Sequence, residues 1–288
     1  MKIAVVADST AYIPKDLKEK HNIYTIPLIV NMDDGSYKEE IEITTAEFFE
    51  KMAAMNELPT TSQPSIGDYI LLLEQLRNEG YTDVISVHLS AEISGTCANA
   101  RAAGASVDGI NLHVVDTEIA CLMQGFMALY AAQNKDKLEL VELLENLEEM
   151  KQKTSSDAKF IVDSMKNLQK GGRVSHSQAL IGGLLNIKPV LEFQEGKIVP
   201  YEKVRTMKKA KRLVEEQFGE VVKKHAGKKI TATIIHSNDE ETGREWMNHL
   251  KSLHPDVQFT LSYFGPVIAT HLGEGSIALG YTTLDIEL

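Results

Sequence analysis

Apolar residues along the first half of the chain form short continuous runs that alternate with longer segments of helical spacing. The short runs predict β-strands over residues 3–8, 24–30, 83–89 and 111–116. The longer segments predict helices at PKDLKEKH, TAEFFEKMAAM, DYILLLEQLRNEG, TCANARAAGASV and ACLMQGFMALYAAQ. Regular alternation of strand and helix is typical of a largely parallel sheet covered by helices. The first half is therefore predicted to be an α/β domain.

The pattern changes after an acidic helix predicted over residues 138–150. A strand at 158–163, a short helix in KNLQKGGRVS that ends in a glycine turn, and a hairpin turning at Glu195-Gly196 follow in that order. Further along come a helix over 206–225 and the segments ITATIIHS, EETGREWMNHLKSL, VQFTLSYFG and PVIATHLGEGSIALGYTTL. We therefore expect two α/β domains, an N-terminal one over residues 1–155 and a C-terminal one over residues 156–288.

Composition narrows the classes of protein that fit. The 288 residues are 43% hydrophobic, enough for a substantial buried core, and the net charge of −11 argues against a general nucleic-acid binder. No apolar run approaches the roughly 18 residues of a membrane span, and MKIAVVADST does not read as a signal peptide. A cytoplasmic location is the expectation. Cys97 and Cys121 have no metal-type spacing, so we expect two reduced, buried thiols.

Basic residues are concentrated after the predicted hairpin, although the chain as a whole is acidic. The cluster comprises Lys203, Arg205, Lys208, Lys209, Lys211 and Arg212. It is either a solvated helix face or a patch for a partner of opposite charge.

Hydroxyl-bearing loops follow the predicted strands, at 8–10, 90–96 and 116–117, and TTSQPS at 60–65 opens onto a helix. Because ligands of such sheets sit at the carboxyl ends of the strands, these loops are predicted to converge on one rim. Neutral hydroxyls beside helix N-termini suit an anion. The loops contain no lysine or arginine, which favours a carboxylate over a phosphate, with neutral sugars as an alternative.

Familiar catalytic signatures are absent: the chain has no G-x-S-x-G, no H-E-x-x-H and no phosphate-binding G-x-x-x-x-G-K-[ST]. The spacing of Gly273 to Ala278 fits a dinucleotide motif, but it lies near the C-terminus and runs into a strand, so we reject it. Ser94, His271 and either Asp8 or Asp116 supply the residue types of a hydrolase triad, which stays open as an alternative.

Taken in order, several blocks of this sequence resemble the DegV family along essentially its whole length. They are the opening strand with ADST, TTSQPS, HLSAEISGT, VVDT, KNLQKGGRVS, LLNIKPVLEFQEGKI, KVRT and FGPVIATHLGEGSIALGY. The resemblance implies the two-domain DegV (EDD) fold, with a Rossmann-like parallel-sheet N-terminal domain, a mixed α/β C-terminal domain and the ligand between them. Within that family the chain is similar to the FakB carriers, which bind a fatty acid for the bacterial fatty acid kinase FakA.

The resemblance also implies roles for particular residues. Thr61, Ser94 and His271 match the residues around the fatty-acid carboxylate, and Ser62, Gly95 and Thr96 are assigned by adjacency. Arg173 and Arg205 match positions associated with docking the kinase; their alternative is a salt bridge with an acidic helix. No catalytic residue, metal or cofactor is expected. Leu184, Leu185, Phe264 and Ile268 are candidates for the tunnel wall, with a place in the core favoured for each.

By this resemblance the protein is a carrier, not an enzyme. It would hold a long-chain fatty acid in an internal tunnel and present the carboxylate to a separate FakA-type, ATP-dependent kinase that forms the acyl phosphate. An acyltransferase of phospholipid synthesis and, transiently, the membrane surface would be further partners; nucleic acid would not. A plain lipid-binding or sequestering module and a Ser/His esterase remain the alternatives.

Overall fold

The computed structural model describes residues 2–174 and 187–288, whose strands and helices form three sheets and their covering layers. The strands are β1 Ile3–Asp8, β2 Ile23–Ile26, β3 Ile29–Met32, β4 Gly35–Lys38, β5 Thr60–Ser62, β6 Asp83–His88, β7 Asn111–Asp116, β8 Ser156–Ile161, β9 Lys188–Gln194, β10 Lys197–Val204, β11 Thr231–His236, β12 Gln258–Tyr263 and β13 Ile277–Thr282. The helices are α1 Lys15–His21, α2 Thr45–Ala54, α3 Ile66–Asn78, α4 Thr96–Gly104, α5 Leu122–Asn134, α6 Leu140–Met150, α7 Lys166–Gly171, α8 Met207–Lys224, α9 Glu240–Leu253 and α10 Pro266–Leu272.

A parallel sheet in the order β2-β1-β6-β7 forms in the first half. Every residue of β1 and β6 is buried, which explains why these strands read as continuous apolar runs. On one face Val6 and Val84 pack against Tyr69 of α3 and Ala100 of α4, and the opposite face packs against α5. The predicted α/β class is confirmed.

The run predicted as one strand over residues 24–30 is instead two strands in different sheets. Strand β2 joins the parallel sheet, whereas β3 pairs with β4 and β5 in a small antiparallel sheet. Pro27 stands between them, and proline cannot donate a hydrogen bond to a strand ladder. The prediction was wrong at this point, and the small sheet matters because β5 carries the hydroxyls of TTS.

A six-stranded mixed sheet in the order β10-β9-β8-β13-β11-β12 forms in the second half, with only β11 and β12 parallel to each other. The predicted hairpin turns at Glu195 and Gly196, which both have positive φ, 50° and 76°. One face packs on α8 and α9, and the other packs on α5. The predicted mixed C-terminal sheet is confirmed, while a domain boundary near residue 155 remains a prediction.

Helix α5 lies between the two large sheets, in contact with β1 and β6 on one side and with β8, β11 and β13 on the other. Its residues 122–129 are all buried. The largest apolar cluster accordingly spans both halves and includes Val5, Phe126, Phe160 and Phe264. Within the described ranges, none of the helices is both long and apolar enough to cross a membrane.

Candidate functional site

A cavity of about 820 Å³, open solvent at its mouth included, lies where the two halves meet. Its wall is mainly apolar and draws on both halves: Leu89, Ile119 and Met123 come from the first, and Phe160 and Phe193 from the second. The size falls in the range of small-molecule sites. The polar side chains on its wall are Thr61, Ser62, Gln63, Ser94, Arg173 and His271.

Thr61 and His271 meet across the two halves of the chain. Strand β5 places Thr61 opposite Val30 of β3, and α10 brings His271 to it, so that Thr61 Oγ1 and His271 Nε2 lie 2.8 Å apart. Ser62, the next residue of β5, accepts a hydrogen bond from Asn31 Nδ2 at 3.1 Å. Two predicted site residues that are 210 positions apart are thus in direct contact.

His271 is partly buried, and its solvent-shielded Nδ1 has no hydrogen-bond partner among the described residues. Burial, followed by the nearby positive charge of Arg173, lowers the pKa of His271 to about 4, so the ring is neutral at pH 7. Gly171 lies against this ring, and a Cβ at that position would collide with Nδ1. Nδ1 is thus an unpaired polar atom packed beside Gly171, and Nε2 is the ring nitrogen that meets Thr61 at the cavity wall.

Ser94 lies on the cavity wall immediately before α4. Its Oγ lies 2.9 Å from Thr96 Oγ1 and accepts a hydrogen bond from Thr96 N at 3.3 Å. Gly95 lies against the amide of Gln63: a Cβ there would be 2.8 Å from Gln63 Nε2. Gly95 and the fully buried Thr96 thus fix Ser94 and Gln63 without lining the cavity themselves.

Arg173, predicted to dock a partner, has its side chain on the cavity wall. Gly172, with φ of 68°, turns the chain after α7, and Arg173 then donates from Nε to Ile93 O (3.4 Å) and from Nη1 to Gly171 O (2.5 Å). The hydroxyl loops lack a cation of their own, but the fold supplies this guanidinium from the second half. Sequence reasoning missed that role because it depends on the turn at Gly172.

Arg205 is exposed between β10 and α8, away from the cavity wall. Neither Arg173 nor Arg205 forms an ion pair with an acidic side chain in residues 2–174 and 187–288. In the described residues, neither arginine therefore forms the salt bridge with an acidic helix that was the alternative to docking.

The hydrolase alternative requires an acid beside His271, and neither candidate acid is there. Asp8 accepts hydrogen bonds from Leu89 N at 2.9 Å and pairs with His88 Nδ1 at 3.0 Å, within a fully buried network. Asp116 accepts from the backbone of its own loop and the neighbouring one. The expected convergence of the polar loops is thus only partial: TTSQPS and the loop of Ser94 bring polar side chains to the cavity, whereas Asp8, Asp116 and Thr117 do not line it. The loop after Asp116 reaches the cavity only through Ile119, Ala120 and Cys121.

The structure also locates the two cysteines and two of the four candidate tunnel-wall residues. Cys97 and Cys121 are free and buried, and Cys121 lines the cavity. Phe264 and Ile268 belong to the buried cluster and also line the cavity, whereas Leu184 and Leu185 lie outside the described residues. In the part of the chain that the structure describes, no group of three His, Cys, Asp or Glu residues is arranged to hold a metal ion.

The fold and the cavity define a class of protein: two α/β halves that enclose one mainly apolar site with a polar end. The chain belongs to the DegV family, because residues 2–284 match the family profile described as "Uncharacterised protein, DegV family". A DegV domain-containing protein of Listeria innocua is 46% identical over 282 residues, 98% of either chain.

Solved structures of DegV proteins have the same fold. DegV of Bacillus subtilis, described as a fatty acid binding protein, superposes with a TM-score of 0.92 at 46% identity, over 99% of this chain and 100% of that one. A DegV family protein of Thermus thermophilus, whose structure is described as showing fatty acid binding, gives 0.89 at 32% identity, over 99% and 100%. These similarities confirm the DegV fold across the chain, with its parallel sheet in the first half and its mixed sheet in the second.

Proposed function

We propose that this protein binds one long-chain fatty acid, with the acyl chain in the apolar cavity and the carboxylate at the end formed by Thr61, Ser94 and His271. The observation that carries the proposal is the contact between Thr61 Oγ1 and His271 Nε2 at the polar end of an otherwise apolar cavity. The fatty acid binding described for two similar DegV proteins supports the same class of ligand.

The Thr61–His271 pair suits a carboxylate when Nε2 carries the ring hydrogen. In that tautomer Nε2 donates to Thr61 Oγ1, and the threonine hydroxyl hydrogen is left for the ligand. In the other tautomer the hydroxyl donates to Nε2, and the hydrogen on Nδ1 lies beside Gly171. The first tautomer therefore provides one donor for a carboxylate oxygen, and the Ser94 hydroxyl adds a second.

Arg173 would add positive charge near the head group, which favours a carboxylate over a neutral alcohol or ester. Ser62, on the cavity wall, would be a further donor. Gly95 and Thr96 would act indirectly, by holding Gln63 and Ser94 in place. In this proposal the two domains, residues 1–155 and 156–288, clasp the ligand between them.

The test is native mass spectrometry of the protein purified from a bacterial host, followed by extraction and identification of the bound lipid. We expect one long-chain fatty acid per chain.

Replacing any one of Thr61, Ser94 and His271 by Ala should weaken binding by about 1–3 kcal/mol, because a desolvated carboxylate loses a donor. Thr154→Ala is the matched control, since Thr154 is an exposed threonine that does not line the cavity.

An empty protein that also takes up no added fatty acid would contradict the proposal. Equal retention by the wild type and all three cavity variants would remove these residues from the carboxylate site.

We further propose that the protein acts as a cytoplasmic carrier without catalytic activity of its own. It would present the carboxylate to a FakA-type, ATP-dependent kinase and deliver the acyl phosphate to an acyltransferase of phospholipid synthesis at the membrane surface. A dry cavity suits such a role, because an acyl chain is poorly solvated by water and an acyl phosphate is prone to hydrolysis. A lipid-sequestering module is the alternative, and the response to Arg205 substitution described below separates the two.

A further inference from the structure

A second cavity of about 480 Å³, open solvent at its mouth included, adjoins the fatty-acid cavity proposed above. Three residues, Ile119, Met123 and Phe193, line both spaces. The two cavities are therefore separated by a partition formed by these side chains.

Contacts with neighbouring residues fix the positions of two side chains of this partition. Met123 lies in the first turn of α5, and its Sδ occupies space that Gly280 of β13 leaves free, since a Cβ at Gly280 would collide with that sulfur. The ring of Phe193 packs against Phe160 with centroids 5.8 Å apart, and Phe160 lines only the first cavity. The side chains of Met123 and Phe193 thus have defined positions across the end of the first cavity.

The second cavity combines an apolar interior with a charged rim. Met127, one turn after Met123 on α5, and Met150 at the end of α6 are both buried and line it. Lys151 lies 3.8 Å from Glu118 and Lys153 lies 3.1 Å from Glu192, and three of these four side chains are at the cavity wall. The tail of a fatty acid could enter the apolar interior of this second cavity. The carboxylate would have no need to bind there.

We propose that Met123 and Phe193 form the end wall of the acyl-chain site and set the longest chain that binds well. The inference rests on the proposed function and adds the residues that determine chain length. Each methylene that gains an apolar environment improves affinity about fourfold, so a wall of two side chains is enough to produce strong discrimination. Opening the wall would let the tail continue into the second cavity.

The experiment compares the full-length wild type with Met123→Ala, Phe193→Ala and the control Met127→Ala. Met127 is the same residue type on the same helix and lines the second cavity alone. Each delipidated protein is incubated with an equimolar mixture of saturated fatty acids of about 12 to 22 carbons. The bound fraction is extracted and quantified by mass spectrometry, and the native mass gives the number of fatty acids per chain.

We expect both wall variants to bind one fatty acid per chain with the preferred length increased by at least about two carbons, a change of roughly tenfold or more in relative affinity. The control should keep the wild-type profile. Phe193 is only half-buried, so Phe193→Ala tests the wall even if Met123→Ala fails to fold.

The outcomes separate the two proposals. If the wild type binds fatty acid and both folded wall variants keep its length profile, the end wall is overturned and the proposed function stands. If Met127→Ala shifts the profile as far as the wall variants do, the tail already reaches the second cavity and the wall assignment is overturned. If the wild type binds no fatty acid, both proposals fail together.

Discussion

Two titratable side chains, the partly buried His271 and the buried Glu39, should give opposite pH dependence to the stability of the lipid-free protein. Burial and then the charge of Arg173 lower the pKa of His271 to about 4, below the usual 6.5. Burial raises the pKa of Glu39 to about 7 from 4.5, against the opposing effect of the hydrogen bonds that its carboxylate accepts. Between its two pKa values, His271 therefore binds more protons in the unfolded state, whereas Glu39 binds more protons in the folded state.

The sign of each contribution can be tested with single variants. Between about pH 4 and 6.5 the His271 contribution rises with pH, because the unfolded chain releases its proton there. Between about pH 4.5 and 7 the Glu39 contribution falls as pH rises. Urea unfolding of lipid-free protein should show wild type gaining up to about 3 kcal/mol over His271→Asn across the first range.

Relative to Glu39→Gln, the wild type should lose stability across the second range. Parallel pH profiles for the wild type and both variants would contradict these assignments. A bound carboxylate would raise the pKa of His271, so the gain over His271→Asn should be smaller in the lipid-loaded protein.

At the scale of elements, Glu39 connects α10 to the first half of the chain. Its carboxylate accepts hydrogen bonds from Ser9 Oγ at 2.5 Å, Tyr12 OH at 2.8 Å and Val267 N at 2.8 Å. Val267 is in the first turn of α10, and His271 is in the last. A helix of seven residues has little stability of its own, so these contacts position His271.

Removing the Glu39 side chain should therefore affect both folding and binding. Glu39→Ala leaves three buried donors without their acceptor, which should lower the free energy of unfolding by about 3 kcal/mol or more. Fatty-acid retention should fall as well, because α10 loses its attachment. Glu50→Ala on α2 removes an exposed carboxylate and is the control, expected within about 0.5 kcal/mol of wild type. A Glu39→Ala protein as stable as the control would contradict the account.

Elements buried on both faces were the ones that the sequence pattern predicted best. Strands β1 and β6 were identified to within one residue, because a parallel strand between two layers shows a continuous apolar run. The edge strand β7 was identified as closely although it is only partly buried. Strands β4 and β5 are short and polar, so neither periodicity nor propensity distinguishes them from loop.

The site was predictable only in part, because its residues come together from distant parts of the sequence. Thr61 and His271 were placed together through the family resemblance, since no local pattern links residues 210 positions apart. Met123 and Phe193 look like ordinary core residues in the sequence. Their position between two cavities depends on how α5 packs on the mixed sheet.

At the scale of the whole molecule, folding and binding share the same contacts. Helix α5 packs between the two large sheets, and the cavity draws its wall from both halves. The two halves have a common apolar cluster, so neither can bury its surface alone. A ligand in the cavity binds only the assembled form, which stabilises the fold by about 2.7 kcal/mol when the ligand is at a hundred times its dissociation constant.

Substitutions of the two arginines assigned to partner docking should have different effects, because the structure places these residues on different surfaces. Arg205 is exposed in the basic cluster, so Arg205→Glu should reduce acyl-phosphate formation with a FakA-type kinase by about tenfold or more at low salt, with fatty-acid retention unchanged. Arg173 lines the cavity, so Arg173→Ala should weaken retention as well as turnover. Lys228→Glu makes the same charge reversal at an exposed site outside the cluster and is the control. If Arg205→Glu matches Lys228→Glu in turnover, the basic cluster is a solvated face and the carrier proposal loses its docking surface.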